Sequence, residues 1–311
     1  MNETRDILFI HALTGLHPGS GTALGVVDLP VQRERHTRWP LIPGSTIKGV
    51  LRDACRENVR KDHDGSRKKA NEENGLLTAS FGPAKVDGDD AHAGAITFTD
   101  ARILAYPVRS LRGVFAWVTC PAVLERASRD FKMAGMAAPA GWPVPEKDRA
   151  AFGKEMRIDT SVVLEEFGFA AIDDPQADNK RLAIATFCAD ATSDPATADR
   201  IKSHLVVLHD DDFTHFAEHA TEVVARVGLD YERKTVKKGA LFYEEFLPPE
   251  TIFYSVVLAG GSRSQKSTSS AADLAQFVRT CTPNVLQIGG DETIGKGLCA
   301  LKFKSSDRKE A

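Results

Sequence analysis

The sequence predicts an α+β fold, and three observations point to this class. A short apolar strand opens the chain at 6–13, an amphipathic helix starts at Ser45, and strand-like runs then precede a second helix and a closing pair of strands. Such a mixture of strands and helices is typical of an α+β sandwich. With 311 residues, 42% of them hydrophobic and 27% charged, the chain can bury a substantial core.

The first third of the chain holds the clearest helix. After the strand at 6–13, the stretch 14–42 is rich in turn residues and is predicted to be a loop insertion. A helix then begins after Pro43, with Ser45 as its expected cap and apolar residues on one face. The opposite face carries basic residues at a four-residue step: Lys48, Arg52, Arg56 and Arg60.

The middle of the chain is harder to interpret. The stretch 62–94 is charged and poor in apolar residues, which predicts a second, mobile loop insertion. Three strand-like runs and a helix over 121–133 follow it. The stretch 135–235 alternates Pro-rich and Asp-rich loops with strand-like runs that include 161–170 and 181–187. We interpret it as an excursion from the core sheet rather than a separate domain.

The last part predicts a hairpin, a helix and two closing strands. The hairpin is expected to join 240–246 to 252–259 by turning through Pro248-Pro249, and the helix covers 271–281. A glycine-rich loop, 289–297, then separates the final strands. Taken together, the order of elements is consistent with a ferredoxin-like or RNA-recognition-type core that carries insertions in a single domain.

Charge is unevenly distributed along the chain. The net charge is −3, yet the segment 32–69 holds eleven basic residues against five acidic ones, an excess of +6. The five cysteines are widely spaced and form no Cys-x-x-Cys pair, and no apolar run is long enough for a membrane span. We therefore expect a soluble, cytoplasmic protein with reduced thiols.

The helix start at Gly44 and Ser45 is the first candidate site. Unpaired backbone N–H groups there lie next to Lys48 and Arg52, and this combination suits a phosphate group. The alternative is a solvated helix face balanced by nearby acids.

The glycine loop 289–297 is the second candidate. Its glycines, including Gly290, permit close approach of the backbone to an anion, and Lys296 supplies positive charge. The loop has no Walker ending. The alternative is a simple hairpin between two strands.

Acidic residues form the third candidate. Asp28 lies in a loop that also carries Arg33, Arg35 and His36, so its carboxylate could hold a divalent cation, Mg²⁺ or Mn²⁺, beside a phosphodiester. The alternative is a turn or salt-bridge residue. Glu244 and Glu245 lie in an apolar strand where alternation turns at least one to solvent, and Glu245 is kept as a further candidate for the active centre.

Several stretches together resemble a known family. They are His17-Pro-Gly-Ser-Gly-Thr, the run 25–37 around Asp28, Pro43-Gly-Ser-Thr-Ile-Lys-Gly-Val-Leu-Arg52, the runs 100–110 and 113–119, and the closing glycine loop. In this order they resemble the backbone subunit of the type III-B, Cmr-type CRISPR effector, a member of the RAMP superfamily. The likeness is densest over 8–120 and returns at 240–303.

The resemblance implies a fold and a function. The fold would be an RNA-recognition-type palm with finger and thumb extensions. The stretch 135–235 carries little of the likeness and is expected to be the thumb or a helical excursion. Copies of the chain would stack along a CRISPR RNA with other subunits of the effector, and each thumb would kink the guide-target duplex. The resemblance assigns metal-assisted cleavage of target RNA to Asp28, and positioning or proton transfer to His17. A non-catalytic RNA-binding scaffold and a nucleotide-binding enzyme are the competing hypotheses.

Overall fold

Residues 3–23, 25–84, 91–138 and 140–306 are described by the computed structural model, with Lys238 described through its backbone alone. The strands are β1 (Thr4–Ala12), β2 (Leu41–Ile42), β3 (Ile96–Phe98), β4 (Ala101–Arg109), β5 (Phe115–Thr119), β6 (Arg149–Phe152), β7 (Ser161–Leu164), β8 (Phe167–Ala171), β9 (Leu205–Leu208), β10 (Glu222–Leu229), β11 (Val236–Phe246), β12 (Ile252–Ala259), β13 (Val285–Gln287) and β14 (Leu298–Ser305). The helices are α1 (Gly44–Val59), α2 (Arg67–Glu73), α3 (Gly75–Phe81), α4 (Pro121–Met133), α5 (Ala177–Ala189), α6 (Pro195–His204), α7 (Asp210–His219) and α8 (Ala271–Cys281).

One mixed sheet organises the described part of the chain. Its main path runs β13-β14-β1-β12-β4-β5-β9-β6-β8-β7, with β2 paired to β4 and β3 paired to β12. The first strand lies between β12 and β14, antiparallel to both, and its residues Ile7, Leu8, Phe9 and Ile10 are fully buried. Burial of both faces explains the continuous apolar run in the sequence. The predicted α+β class is confirmed.

The helix predicted after Pro43 is confirmed as α1, but its cap is different. The side chain of Ser45 makes no capping hydrogen bond, and Asp100 Oδ1 accepts the Gly44 N–H instead, at 2.7 Å. A Cβ atom on Gly44 would lie 2.4 Å from the carbonyl oxygen of Phe98. The helix therefore begins against the end of β3 and the link between β3 and β4, at a point where a side chain does not fit.

Two expectations for the middle of the chain are wrong. The predicted loop insertion at 62–94 contains helices α2 and α3, and only its residues 85–90 lie outside the described ranges. The strand predicted at 181–187 is part of helix α5, which buries Ile184, Ala185 and Cys188 at helical spacing. Strands β6 to β9 extend the main sheet, so the stretch 135–235 is continuous with the core as well as partly helical.

The predicted hairpin partner of the strand 240–246 is also wrong. Strand β11 pairs with β10 in a separate two-stranded sheet, whereas β12 enters the main sheet between β1 and β4. Nearly all of β12 is buried, which suits a central strand, while β10 is largely exposed. The predicted pairing of the last two strands around the glycine loop is confirmed by β13 and β14. In the described ranges, no helix combines the length and apolarity that crossing a membrane requires.

Candidate active site at the base of the β10–β11 hairpin

Strand β11 supports the candidate site on both of its edges. One edge pairs with β10, and the other receives two segments of the loop 14–42. Leu29 forms a parallel bridge with Glu244, and the N–H of Leu247 donates to the carbonyl of Leu16 at 2.9 Å. The loop predicted to carry catalysis is therefore anchored by main-chain hydrogen bonds to the base of the hairpin.

Asp28 lies at the first of these anchor points. Its Oδ2 accepts the backbone N–H of Tyr243 at 2.7 Å, while the N–H groups of Asp28 and Leu29 donate to the Tyr243 carbonyl at 3.1 and 3.0 Å. The side chain is half-buried and has no ion-pair partner among the residues described. One carboxylate oxygen is thus held in place by the backbone, and the other is left to contact a ligand.

His17 lies at the second anchor point and is only 7% exposed. Its Nδ1 is 2.7 Å from the carbonyl oxygen of Glu245, and because a carbonyl only accepts, Nδ1 must carry the hydrogen. Nε2 then faces Glu244, with Oε1 at 3.7 Å, and the ring packs against Phe246. The tautomer of His17 is set by the same strand that holds Asp28.

Both glutamates of β11 are buried, at 5% and 6% exposure, so the expectation that one faces solvent is wrong. Glu244 Oε2 accepts from Nε of Arg226 on β10 at 3.0 Å. Nη2 of Arg226 is 2.9 Å from Asp291 Oδ2, an ion pair whose geometry makes no hydrogen bond. Burial and the neighbouring Asp291 raise the pKa of Glu244, against the lowering influence of His17 and Arg226.

Glu245 faces away from this cluster and holds the loop instead. Its Oε1 pairs with Nη2 of Arg33 at 2.6 Å, and its Oε2 accepts the N–H of Val31 at 2.9 Å. Arg33 also donates from Nη1 to the carbonyl of Ala217 at 2.8 Å. The Arg33 guanidinium is therefore directed into the protein. Arg33 and Glu245 together hold the loop in position against β11.

The other basic residues of the loop point outward. Arg35 and His36 are exposed, and Nε2 of His36 lies 3.8 Å from Glu34. Glu34 itself is held by Arg126 of α4 through two hydrogen bonds and by the hydroxyl of Thr37. Arg35 and His36 are thus basic residues of the loop whose side chains a polyanion can reach.

The glycine loop contacts the same site. The N–H of Gly290 donates to the carbonyl of His17 at 3.0 Å, and a Cβ on Gly289, whose φ is +84°, would lie 2.3 Å from that oxygen. Nζ of Lys296 is 4.6 Å from the ring centroid of Phe246, a cation–π contact. The loop joins the paired strands β13 and β14 as a hairpin, and it also contacts the candidate site through His17.

The cation row on α1 is divided. Arg56 pairs with Asp53, and Arg60 pairs with Glu57 at 2.9 Å. Within the described ranges no acidic group lies within 4 Å of Lys48 or Arg52. Partial burial, together with the charges of Arg52 and Arg263, lowers the pKa of Lys48. Since α1 packs against β13, which leads into the glycine loop, the two predicted anion sites lie on neighbouring elements.

The donor set for a divalent cation is small. The described residues hold no group of three or more His, Cys, Asp or Glu side chains arranged to bind a metal ion. Asp28 offers one carboxylate oxygen that no N–H occupies. This fits a hydrated Mg²⁺ that takes its remaining ligands from water and phosphate oxygens, since Mg²⁺ commonly binds through one or two carboxylates.

The cluster of Glu244, Arg226 and Asp291 could not be predicted from the sequence. Glu244 was visible as an acid in an apolar strand, but its burial depends on Arg226, which lies in the partner strand that the predicted pairing did not include. Asp291 was one residue of the glycine loop and has a φ of +63°. These three residues come together only through the tertiary fold.

Comparison with known proteins places this geometry in a family. The model of the RAMP superfamily matches residues 9–300. The CRISPR system Cmr endoribonuclease Cmr4 of Pyrococcus furiosus is 38% identical over 299 residues, covering 95% of this chain and 94% of the relative. The CRISPR system CMR subunit Cmr4 of Saccharolobus solfataricus is 26% identical, and 95% of each chain is covered.

Solved structures show the same fold. The crystal structure of oligomeric Cmr4 from Pyrococcus furiosus matches with a TM-score of 0.71 at 32% identity, covering 97% of this chain and 99% of the other. A chain in the cryo-EM structure of the type III-B Cmr-beta complex bound to cognate target RNA matches at 0.68 and 22% identity, over 96% of each chain. This agreement confirms the ferredoxin-like palm. The chain belongs to the RAMP superfamily and, within it, to the Cmr4 family of type III-B Cmr subunits.

Proposed function

We propose that this chain is a repeated backbone subunit of a cytoplasmic type III-B effector, which binds CRISPR RNA and cleaves the complementary target RNA at Asp28. The observation that carries the proposal is the Asp28 carboxylate, half-buried, fixed through one oxygen to the N–H of Tyr243 and open at the other. A relative that is 38% identical is named an endoribonuclease.

The cleavage step uses the RNA's own 2′-hydroxyl. Its oxygen attacks the adjacent phosphorus as its proton leaves, the bond to the 5′-oxygen breaks, and that oxygen takes up a proton. The products are a cyclic phosphate and a free 5′-hydroxyl. A divalent cation held by Asp28 would stabilise the negative charge that develops on the phosphate. His17, with its hydrogen fixed on Nδ1, orients the site or moves a proton at Nε2.

RNA binding is assigned to cations that make no ion pair with an acidic side chain in the described part of the chain. Lys48 and Arg52 lie near the start of α1, where the backbone around Gly44 and Ser45 adds partial positive charge. Gly290 and Lys296 place backbone and an ammonium group beside the His17 loop. Guide-target pairing would read the sequence, so these groups need only hold the phosphates and the shape of the duplex.

The decisive experiment replaces Asp28 by Asn in the assembled complex with guide and target RNA. Asn keeps an oxygen that can accept the Tyr243 N–H but loses the charge needed for a cation. We expect target affinity within about twofold and cleavage lowered by at least about 100-fold, as for removal of a main catalytic electrostatic group. Equal cleavage by Asp28→Asn would support the alternative of a non-catalytic scaffold. Titration with Mg²⁺, Mn²⁺ and a chelator tests the cation separately.

A further inference from the structure

Arg226 lies where the hairpin meets the candidate active site. It belongs to β10, opposite Phe242 of β11, and its guanidinium reaches Glu244 and Asp291. The group lies over the ring of Phe246, at 5.6 Å from the centroid. Three separate segments therefore meet at one side chain: the hairpin strand β10, the supporting strand β11 and the glycine loop.

The two carboxylates beside Arg226 favour a cation at this position. Glu244 and Asp291 are close enough to influence each other, and this contact together with burial raises the pKa of Glu244. Two carboxylates in one partly buried cluster repel each other unless a positive group lies between them. Lys296 lies over the same ring of Phe246, but within the described ranges its ammonium makes no ion pair with either acid.

The cluster connects to catalysis through His17. Oε2 of Glu244 is taken by Arg226, which leaves Oε1 directed at Nε2 of His17. On the other side of the ring, Nδ1 is fixed by the Glu245 carbonyl. The orientation of the Glu244 carboxylate therefore decides what Nε2 of His17 faces.

We propose that Arg226 is a positioning residue for RNA cleavage, which holds the Glu244 carboxylate against His17 and so couples the hairpin to the loop that carries Asp28. This inference rests on the proposed function. Arg226 is directed inward, and its guanidinium already pairs with Glu244 and Asp291. It therefore acts through Glu244 and His17 rather than by contact with RNA.

The test compares variants in the assembled complex with guide and target RNA, with single-turnover cleavage at saturation measured separately from target affinity. Arg226→Gln is expected to cleave at least about tenfold more slowly, the effect of losing a hydrogen bond to a charged group, with affinity within about twofold. Arg226→Lys, which keeps the cation, should recover a large part of the rate. Arg149→Gln, a charge-matched change in β6, should cleave like the unchanged complex.

Epistasis gives the second readout. If Arg226 acts through Glu244, the double variant Arg226→Gln with Glu244→Gln cleaves no more slowly than Glu244→Gln alone. Independent, multiplying losses would overturn the inference, and so would lower affinity with an unchanged rate, which would make Arg226 an RNA contact. A normal rate in Arg226→Gln beside an inactive Asp28→Asn defeats this inference alone, whereas normal cleavage by Asp28→Asn defeats the proposed function.

Discussion

Arg33 and Arg38 of the loop and the cations of the first half of α1 belong to the same basic segment, 32–69, yet they use their charges in opposite ways. In the loop, Arg33 pairs with Glu245, and Arg38 pairs with Glu218 at 3.2 Å. On the helix, Lys48 and Arg52 have no acidic neighbour within 4 Å in the described part of the chain. In the loop, these cations therefore form ion pairs that stabilise the fold. On α1, Lys48 and Arg52 remain available to a ligand.

An excess of basic residues along the sequence therefore does not by itself identify the cations that are available to a polyanion. The buried pair of Arg33 with Glu245 holds the loop that carries Asp28. The unpaired cations of α1 are costly to keep close together, and a phosphate would relieve their repulsion.

The largest expected effect is on the loop. Arg33→Met leaves the Glu245 carboxylate buried without its cation, which should lower the free energy of unfolding by about 3–5 kcal/mol. Urea denaturation measures this loss. Arg35→Met, an exposed neighbour, should change stability by no more than about 0.5 kcal/mol. Similar losses in both variants would remove the distinction between paired and free cations in the loop.

The next effect is on RNA affinity. Lys48→Gln with Arg52→Gln should weaken RNA binding by about tenfold near 0.1 M salt and reduce the steepness of its salt dependence, because phosphate contacts release counterions. Filter binding at several salt concentrations measures both quantities. Arg56→Gln with Arg60→Gln removes the same charge from residues that are already paired, and should weaken binding less than about twofold. Equal loss of RNA affinity in the two double variants would contradict the distinction between the unpaired Lys48 and Arg52 and the paired Arg56 and Arg60.

A smaller effect concerns the start of α1. Asp100→Ala removes the carboxylate that accepts the Gly44 N–H and should cost about 1 kcal/mol of stability, the usual value of a helix cap. Asp100→Asn keeps an acceptor oxygen and should lose less. Thermal unfolding distinguishes the two, and a neutral result for the alanine variant would show that the backbone alone sets the start of the helix.

The smallest effect is a pH dependence within the loop. Burial raises the pKa of Glu34, but the hydrogen bonds from Arg126 and Thr37, with the charges of Arg126 and His36, outweigh it and lower the pKa overall. A lowered pKa in the folded state gives stability that is complete above the ordinary glutamate value, near about 4.3, and is lost as pH falls through the lowered one. Urea unfolding between pH 7 and pH 3 measures the free energy of unfolding of the unchanged protein and of Glu34→Gln. The difference between the two should become smaller toward pH 3. A difference that stays constant would exclude this linkage.

Local pattern was enough to predict some parts of the molecule. The apolar run of β1, the face of α1 and the pairing of β13 with β14 across the glycine loop depend on residues close in sequence. Asp28 was a candidate from its residue pattern, whereas its catalytic role and the choice of His17 came from a resemblance, and in the structure both residues contact the same strand, β11.

Other parts depend on contacts that no local pattern contains. The run 181–187 has apolar residues that suit a strand or a helix, and burial of Ile184 and Cys188 against the sheet selects the helix. Glu244 and Glu245 look like residues of an alternating strand, but partners from distant segments, Arg226 and Arg33, allow both to be buried. The choice between β10 and β12 as the partner of β11 is likewise made by the whole fold.

Because Asp28 is attached to strand β11 through the main-chain N–H and carbonyl of Tyr243, its attachment does not depend on which side chain residue 243 carries. The Tyr243 side chain is 42% exposed. Natural variation at this position can therefore alter the exposed surface beside the candidate site while the Asp28 carboxylate keeps its place, provided that the replacement is not proline, which has no backbone N–H to donate.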